Sequence, residues 1–95
     1  MSERTILTED SVPKLPRHAK LRFDKPRDKW IILAPERVFE LDPIASEVVR
    51  LCDGSKPVNE VVDTLAAKYE APRDVIAKDV IDMLQGLADK GFVVT

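Results

Sequence analysis

The spacing of apolar residues changes at Asp42-Pro43, and that change limits the chain to a sheet followed by helices. Upstream, Leu21 and Phe23 alternate with Lys20, Arg22 and Asp24, as on a strand with one wet face. Trp30-Ile31-Ile32-Leu33-Ala34 is apolar at consecutive positions, the pattern of a strand covered on both faces. The turn cluster Lys25-Pro26-Arg27-Asp28 separates the two. Pro35 then fixes the first corner of a second turn, and Arg37-Val38-Phe39-Glu40-Leu41 returns with Phe39 and Leu41 inward and Val38 and Glu40 outward. Connections this short make an antiparallel meander. Its first and last strands each keep one unpaired row of backbone N–H and C=O groups.

Downstream, three helices are punctuated in turn. Asp42 is a good N-cap, Pro43 suits the first turn, and Asp53-Gly54 supplies a left-handed stop after Cys52. Ile44, Val48, Leu51 and Cys52 form the dry side of this first helix. Pro57 opens a second, with Val58, Val61, Val62, Leu65, Ala66 and Tyr69 on one stripe. Pro72 opens a third after only Glu70-Ala71, and Lys90-Gly91 closes it. The predicted fold is therefore α+β: a three-stranded antiparallel sheet followed by three helices, similar to a winged helix-turn-helix. Residues 1–15 contain Pro13 among polar residues and show no period, which predicts a flexible N-terminal arm, with one domain over 16–95.

Ninety-five residues leave room for a single core. One cysteine forms no internal disulfide, and no apolar signal core or membrane-length run occurs, so a cytoplasmic protein without membrane contact is expected. Cys52 and His18 are single copies, which leaves no ligand cluster for a metal. Three glycines, Gly54, Gly86 and Gly91, assemble neither a dinucleotide fingerprint nor a phosphate loop, so no cofactor is expected. Cys52 has no base beside it in sequence and reads as core, His18 as solvated or capping, and Trp30 as an anchor of sheet against helices. No two carboxylates form an arguable acid–base pair, so the chain is not expected to be an enzyme.

The third helix has apolar surface to spare. Ile76, Ala77, Val80, Ile81, Met83, Leu84, Leu87 and Ala88 cover about 160°, where about 100° suffices for packing on one core. Either margin, Ile76 with Met83 or Ile81 with Ala88, is free to line a groove, or both pack on the core. If the third strand lies beside this helix, an extended peptide can pair with the strand's open edge and drop alternate side chains into that groove. The candidate site is then Arg37, Val38, Phe39, Glu40 and Leu41 on the strand and Ile76, Val80 and Met83 as pocket walls, with Arg73 or Asp79 pairing with the guest's charges. Two alternatives remain open. The two-residue turn between helices two and three suits a DNA-binding regulator, but residues 73–90 hold Arg73, Lys78 and Lys90 against Asp74, Asp79, Asp82 and Asp89, the wrong sign for phosphate. The cations cluster instead on the first hairpin, which suits an acidic protein partner or a solvated face. The open edge also permits structural self-association, as a monomer in equilibrium with a weak homodimer.

Four stretches together resemble the PqqD family of pyrroloquinoline quinone biosynthesis: Leu21-Arg22-Phe23-Asp24, Trp30-Ile31-Ile32-Leu33-Ala34-Pro35-Glu36-Arg37-Val38, Leu51-Cys52-Asp53-Gly54, and Leu87 to Phe92. The resemblance covers residues 16–94. It implies a non-catalytic peptide chaperone built on a precursor-peptide recognition element. Such a chaperone binds the leader of the ribosomal peptide PqqA and presents it to the radical S-adenosylmethionine enzyme PqqE. It further implies that the leader adds as a strand between the third strand, here Arg37 to Leu41, and the third helix, here Arg73 to Lys90.

Overall fold

Two tight turns set the sheet. In the computed structural model, which describes residues 6–95, the elements run β1 (Lys20–Asp24), β2 (Lys29–Ala34), β3 (Arg37–Leu41), α1 (Pro43–Leu51), α2 (Val58–Tyr69) and α3 (Arg73–Asp89). Asp28 and Glu36 turn the chain with positive φ of 55° and 61°. The strands pair antiparallel in the order β1-β2-β3, with Ile32 opposite both Leu21 and Phe39, and Trp30 opposite both Phe23 and Leu41. That register puts Leu21, Trp30, Ile32, Ala34, Phe39 and Leu41 on the face that meets the core. Ile31, on the other face between Arg22 and Glu40, is also buried, so the central strand is covered on both sides.

The helices begin and end at the punctuation. Ala45 N–H donates to Asp42 Oδ1 at 2.7 Å and Pro43 occupies the first turn of α1. Glu70 ends α2 in the left-handed conformation, and Gly91 (φ +85°) lets Phe92 N–H reach Leu87 O at 2.9 Å and Gly91 N–H reach Ala88 O at 3.0 Å. This paired closure satisfies carbonyls that the end of α3 would otherwise leave free, and it turns Phe92 and Val93 into the core.

The N-terminal segment departs from the expected loose arm. Residues 1–5 of that arm lie outside the described residues; residues 6–15 pack on the domain. Leu7 is buried to 4% exposure, and Lys14 exchanges two backbone hydrogen bonds with Val94, at 2.9 and 2.8 Å. The physical reason lies at the start of α2. Pro57 holds the cap position but has no side-chain acceptor. Val58 and Asn59 instead donate their N–H groups to Ser11 O at 2.8 Å and Glu9 O at 2.9 Å. The segment supplies from afar the carbonyls that a Ser or Asp cap would supply locally.

Candidate functional site

β3 is an edge strand, paired with β2 alone. The two-residue loop between Ala34 and Arg37 makes that flanking pair hydrogen-bonded, and alternation then bonds Phe39 and Leu41 to β2. The N–H and C=O groups of Val38 and Glu40 are left pointing to the open edge. Their side chains face away from the core, Val38 being 55% exposed, while Leu41 is buried and Phe39 half-buried.

An apolar groove opens between α1, α2 and α3, and reaches Ile44, three residues beyond the end of β3. Ile76, Val80 and Met83 of α3 form one wall, Ile44 and Val48 of α1 another, and Leu65 and Tyr69 of α2 close it, with Asp79 on the rim. Its volume of about 140 Å³ is below the range of about 300–1,000 Å³ usual for small-molecule pockets, so it suits a side chain rather than a free ligand. Glu47 fixes the Tyr69 wall by accepting hydrogen bonds from both the Tyr69 hydroxyl and Lys68. Those bonds, that from Lys68 first, hold the Glu47 carboxyl below the usual carboxylate range.

The opposite end of the slot is aromatic and positive. The Phe39 and Phe92 rings lie 5.3 Å apart. The Arg37 guanidinium stacks 4.3 Å from the Phe92 centroid and the Lys90 ammonium 4.8 Å from that of Phe39. The start of β3 therefore meets the end of α3, and Ile44, just after β3, meets the start of α3. The two elements run antiparallel. α1 packs on β2 and β3 whereas α3 packs chiefly on α2, so β3 and the end of α3 meet through Phe39 and Lys90.

Of the sequence-derived candidates, Ile76, Asp79, Val80 and Met83 come together in the groove, and Arg37 to Leu41 form the edge strand without lining it. Arg73 does not join them. Its Nε donates to Asp63 at 2.6 Å and its Nη2 to Glu9 at 2.5 Å, so its charge ties α3 to α2 and to the N-terminal segment. Helical spacing puts Ile44 on the dry side of α1; in the structure it is 61% exposed and forms a groove wall. Nothing in the spacing distinguishes it from Val48, since both fall on the apolar stripe of α1. Lys90 and Phe92 escaped sequence reasoning because nothing local links them to β3.

The N-terminal segment also decides between the margins of α3. Leu7 N–H donates to Gln85 Oε1 at 3.0 Å, and Gln85 lies about 180° round the helix from Ile76. Ile81, one turn before Gln85 on the same face of α3, lies on that side. The Ile81 margin is thus covered by the chain itself, and the Ile76–Met83 margin is the one that lines the groove. Cys52 is no nucleophile: it is buried, its thiol donates to Val48 O at 3.1 Å, and burial pushes its pKa up to about 12.

Comparisons with known proteins agree with this architecture. The family model "Coenzyme PQQ synthesis protein D (PqqD)" matches residues 29–93. A PqqA binding protein of Rhodopseudomonas palustris (strain HaA2) is 58% identical over 94 residues, covering 98% of this chain and 92% of that protein. A PqqA binding protein of Bradyrhizobium diazoefficiens is 60% identical over 87 residues, covering 92% and 84%. The solution structure of the PqqD truncation of Methylobacterium extorquens PqqCD, described as a functional, stand-alone recognition element for ribosomally synthesized and modified peptides, superposes with a TM-score of 0.81 at 40% identity, over 94% of this chain and 95% of that one. These names are those of binding proteins and a recognition element, in keeping with a non-catalytic role. Three antiparallel strands followed by three helices, with the motifs that span both halves, place the chain in the PqqD family of coenzyme PQQ synthesis proteins.

Proposed function

We propose that this chain binds the leader of a PqqA-type precursor peptide as a fourth strand on β3 and presents the peptide to the radical S-adenosylmethionine enzyme PqqE. The observations that support the reading are the open edge at Val38 and Glu40 and an apolar groove between α1, α2 and α3 that begins at Ile44, three residues beyond β3. Backbone pairing on the edge supplies affinity without regard to sequence, and the groove selects the side chain that enters it. Asp79 on the rim and the Arg37 and Lys90 cations at the far end give the slot opposite charges at its two ends, so the guest's charge pattern sets its register. A micromolar complex requires about −8 kcal/mol, which a short strand with two or three anchored side chains supplies.

The test is calorimetric titration with a synthetic PqqA peptide of Rhodopseudomonas palustris, together with backbone amide shifts. Shifts concentrated in Val38 to Leu41 and Ile76 to Met83 are expected. Val38→Pro removes an outward N–H that β2 does not use, so the fold survives. Affinity is expected to fall about fivefold or more for the loss of that bond. Unchanged affinity of this variant would sink strand addition. Presentation is tested separately: PqqE turnover of the peptide should rise when this chain is added, while the chain alone modifies nothing.

A further inference from the structure

The face of the sheet turned away from the core has no helix over it. Register sets Lys20, Leu33 and Val38 side by side in one row across that face, and Arg22, Ile31 and Glu40 in the next. All three helices contribute to the core on the other face, and Ile31, Leu33 and Val38 belong neither to that core nor to the residues packed against it. Ile31 is buried between its flanking side chains, Leu33 is half-buried and Val38 is 55% exposed. An apolar strip therefore runs from β2 to the open edge.

Its flank is positive. Lys20 and Arg22 are exposed on β1 and have no acidic partner among the described residues. The neighbouring cations differ: Arg27 pairs with Asp24 and Glu40, and Lys29 with Glu40. The chain as a whole has a net charge of −2, so two unneutralised cations beside an apolar strip run against its overall sign. They suit carboxylates on a folded protein whose apolar residues cover Leu33 and Val38, and suit less a nucleic-acid backbone, which has no apolar group to place there.

A guest strand on β3 widens this face. Directly opposed residues of paired strands share a side, so guest residues opposite Val38 and Glu40 stand on the bare face, and the one opposite Phe39 turns to the core side. β1 and β3 are each five residues long, about 17 Å, and the three strands span about 10 Å across. Such a patch is far smaller than the roughly 800 Å² a side that stable complexes bury, so alone it holds a partner weakly. The guest adds a strand and its outward side chains to the same surface.

Resting on the presentation reading above, we infer that this bare face, with Leu33 and Val38 at its centre and Lys20 and Arg22 on its flank, docks an acidic patch of the modifying enzyme. The enzyme then touches chain and guest strand together, and it binds the loaded chain more tightly than the empty one.

The test is calorimetric titration of Rhodopseudomonas palustris PqqE with this chain, free and saturated with the PqqA peptide, at low and at high salt. Two double variants are compared with wild type: Lys20→Glu with Arg22→Glu, and the charge-keeping Lys20→Arg with Arg22→Lys. For wild type, loading with peptide should tighten enzyme binding at least fivefold, and salt should weaken it. Charge reversal should weaken enzyme binding to the loaded chain at least tenfold and remove its weakening by salt, with PqqA affinity within twofold of wild type. The charge-keeping variant should bind the enzyme as wild type does. Enzyme binding by the reversed variant within twofold of wild type would overturn the inference, as would equal binding of enzyme to free and loaded wild type. A matching loss of peptide affinity would overturn it too, since the cations would then belong to the peptide site. A wild-type chain that binds the peptide but never the enzyme would instead sink the presentation reading and leave strand addition standing.

Discussion

Met83 is the groove residue whose contribution to binding is most separable from folding. It is half-buried at the margin of the core, so truncation leaves an open surface rather than a sealed cavity. Met83→Ala is expected to cost little stability. It should weaken the peptide complex about tenfold, because the guest then buries less apolar surface, a difference of roughly 1.4 kcal/mol, and titration alongside urea unfolding separates the two. Cys52 behaves in the opposite way. Its folded pKa is raised to about 12 by burial, so the neutral thiol contributes fully below the ordinary value near 9. That stability is lost as pH rises from about 9 to 12, because the unfolded chain then releases a proton that the folded one keeps. Unfolding free energy measured across that range should fall in wild type and fall less in Cys52→Ala. Both residues were legible in the sequence from helical spacing. Arg73 was not, because its partners Asp63 and Glu9 lie on other elements and ordinary surface charge shows no pattern that reveals a fixed pair.

Elements with their own punctuation were readable residue by residue; the one that depends on a distant partner was not. Strand alternation, Pro35, the Asp42 cap and Lys90-Gly91 each carry their cause locally, so all three strands and all three helices follow from spacing and turn chemistry. The segment 6–15 has no period, and its order comes from the bare start of α2, where Val58 and Asn59 need carbonyls that Ser11 and Glu9 provide. A proline at the cap without a Ser, Thr, Asp or Asn is the one hint the sequence offers. Leu7→Ala tests this account. Leu7 is 4% exposed, and its truncation should cost about 2–3 kcal/mol, near the low end for buried leucines. Peptide affinity measured well below the melting temperature should stay within twofold of wild type, since the segment covers the Gln85 side of α3 and not the groove side. A parallel loss of affinity would show that the two sides of α3 are coupled.

Across the whole molecule, α3 has the chain's own N-terminal stretch on one side and the apolar groove on the other. The open β3 edge is what makes an added strand or a second copy of the chain equally able to satisfy Val38 and Glu40. The edge is short, and Lys29 and Arg27 near its end pair with Glu40 at 3.1 and 3.6 Å, charges that discourage flat stacking of copies. An incoming peptide of matching charge has less to displace than a second copy bearing the same pattern. Any dimer formed through β3 therefore competes with peptide. Sedimentation equilibrium should show a concentration-dependent dimer, where one forms, dissociating as the PqqA peptide saturates the edge, and Val38→Pro should weaken dimer and peptide binding together. A dimer that persists at saturating peptide would mean that self-association uses another surface and that the β3 edge is reserved for the guest.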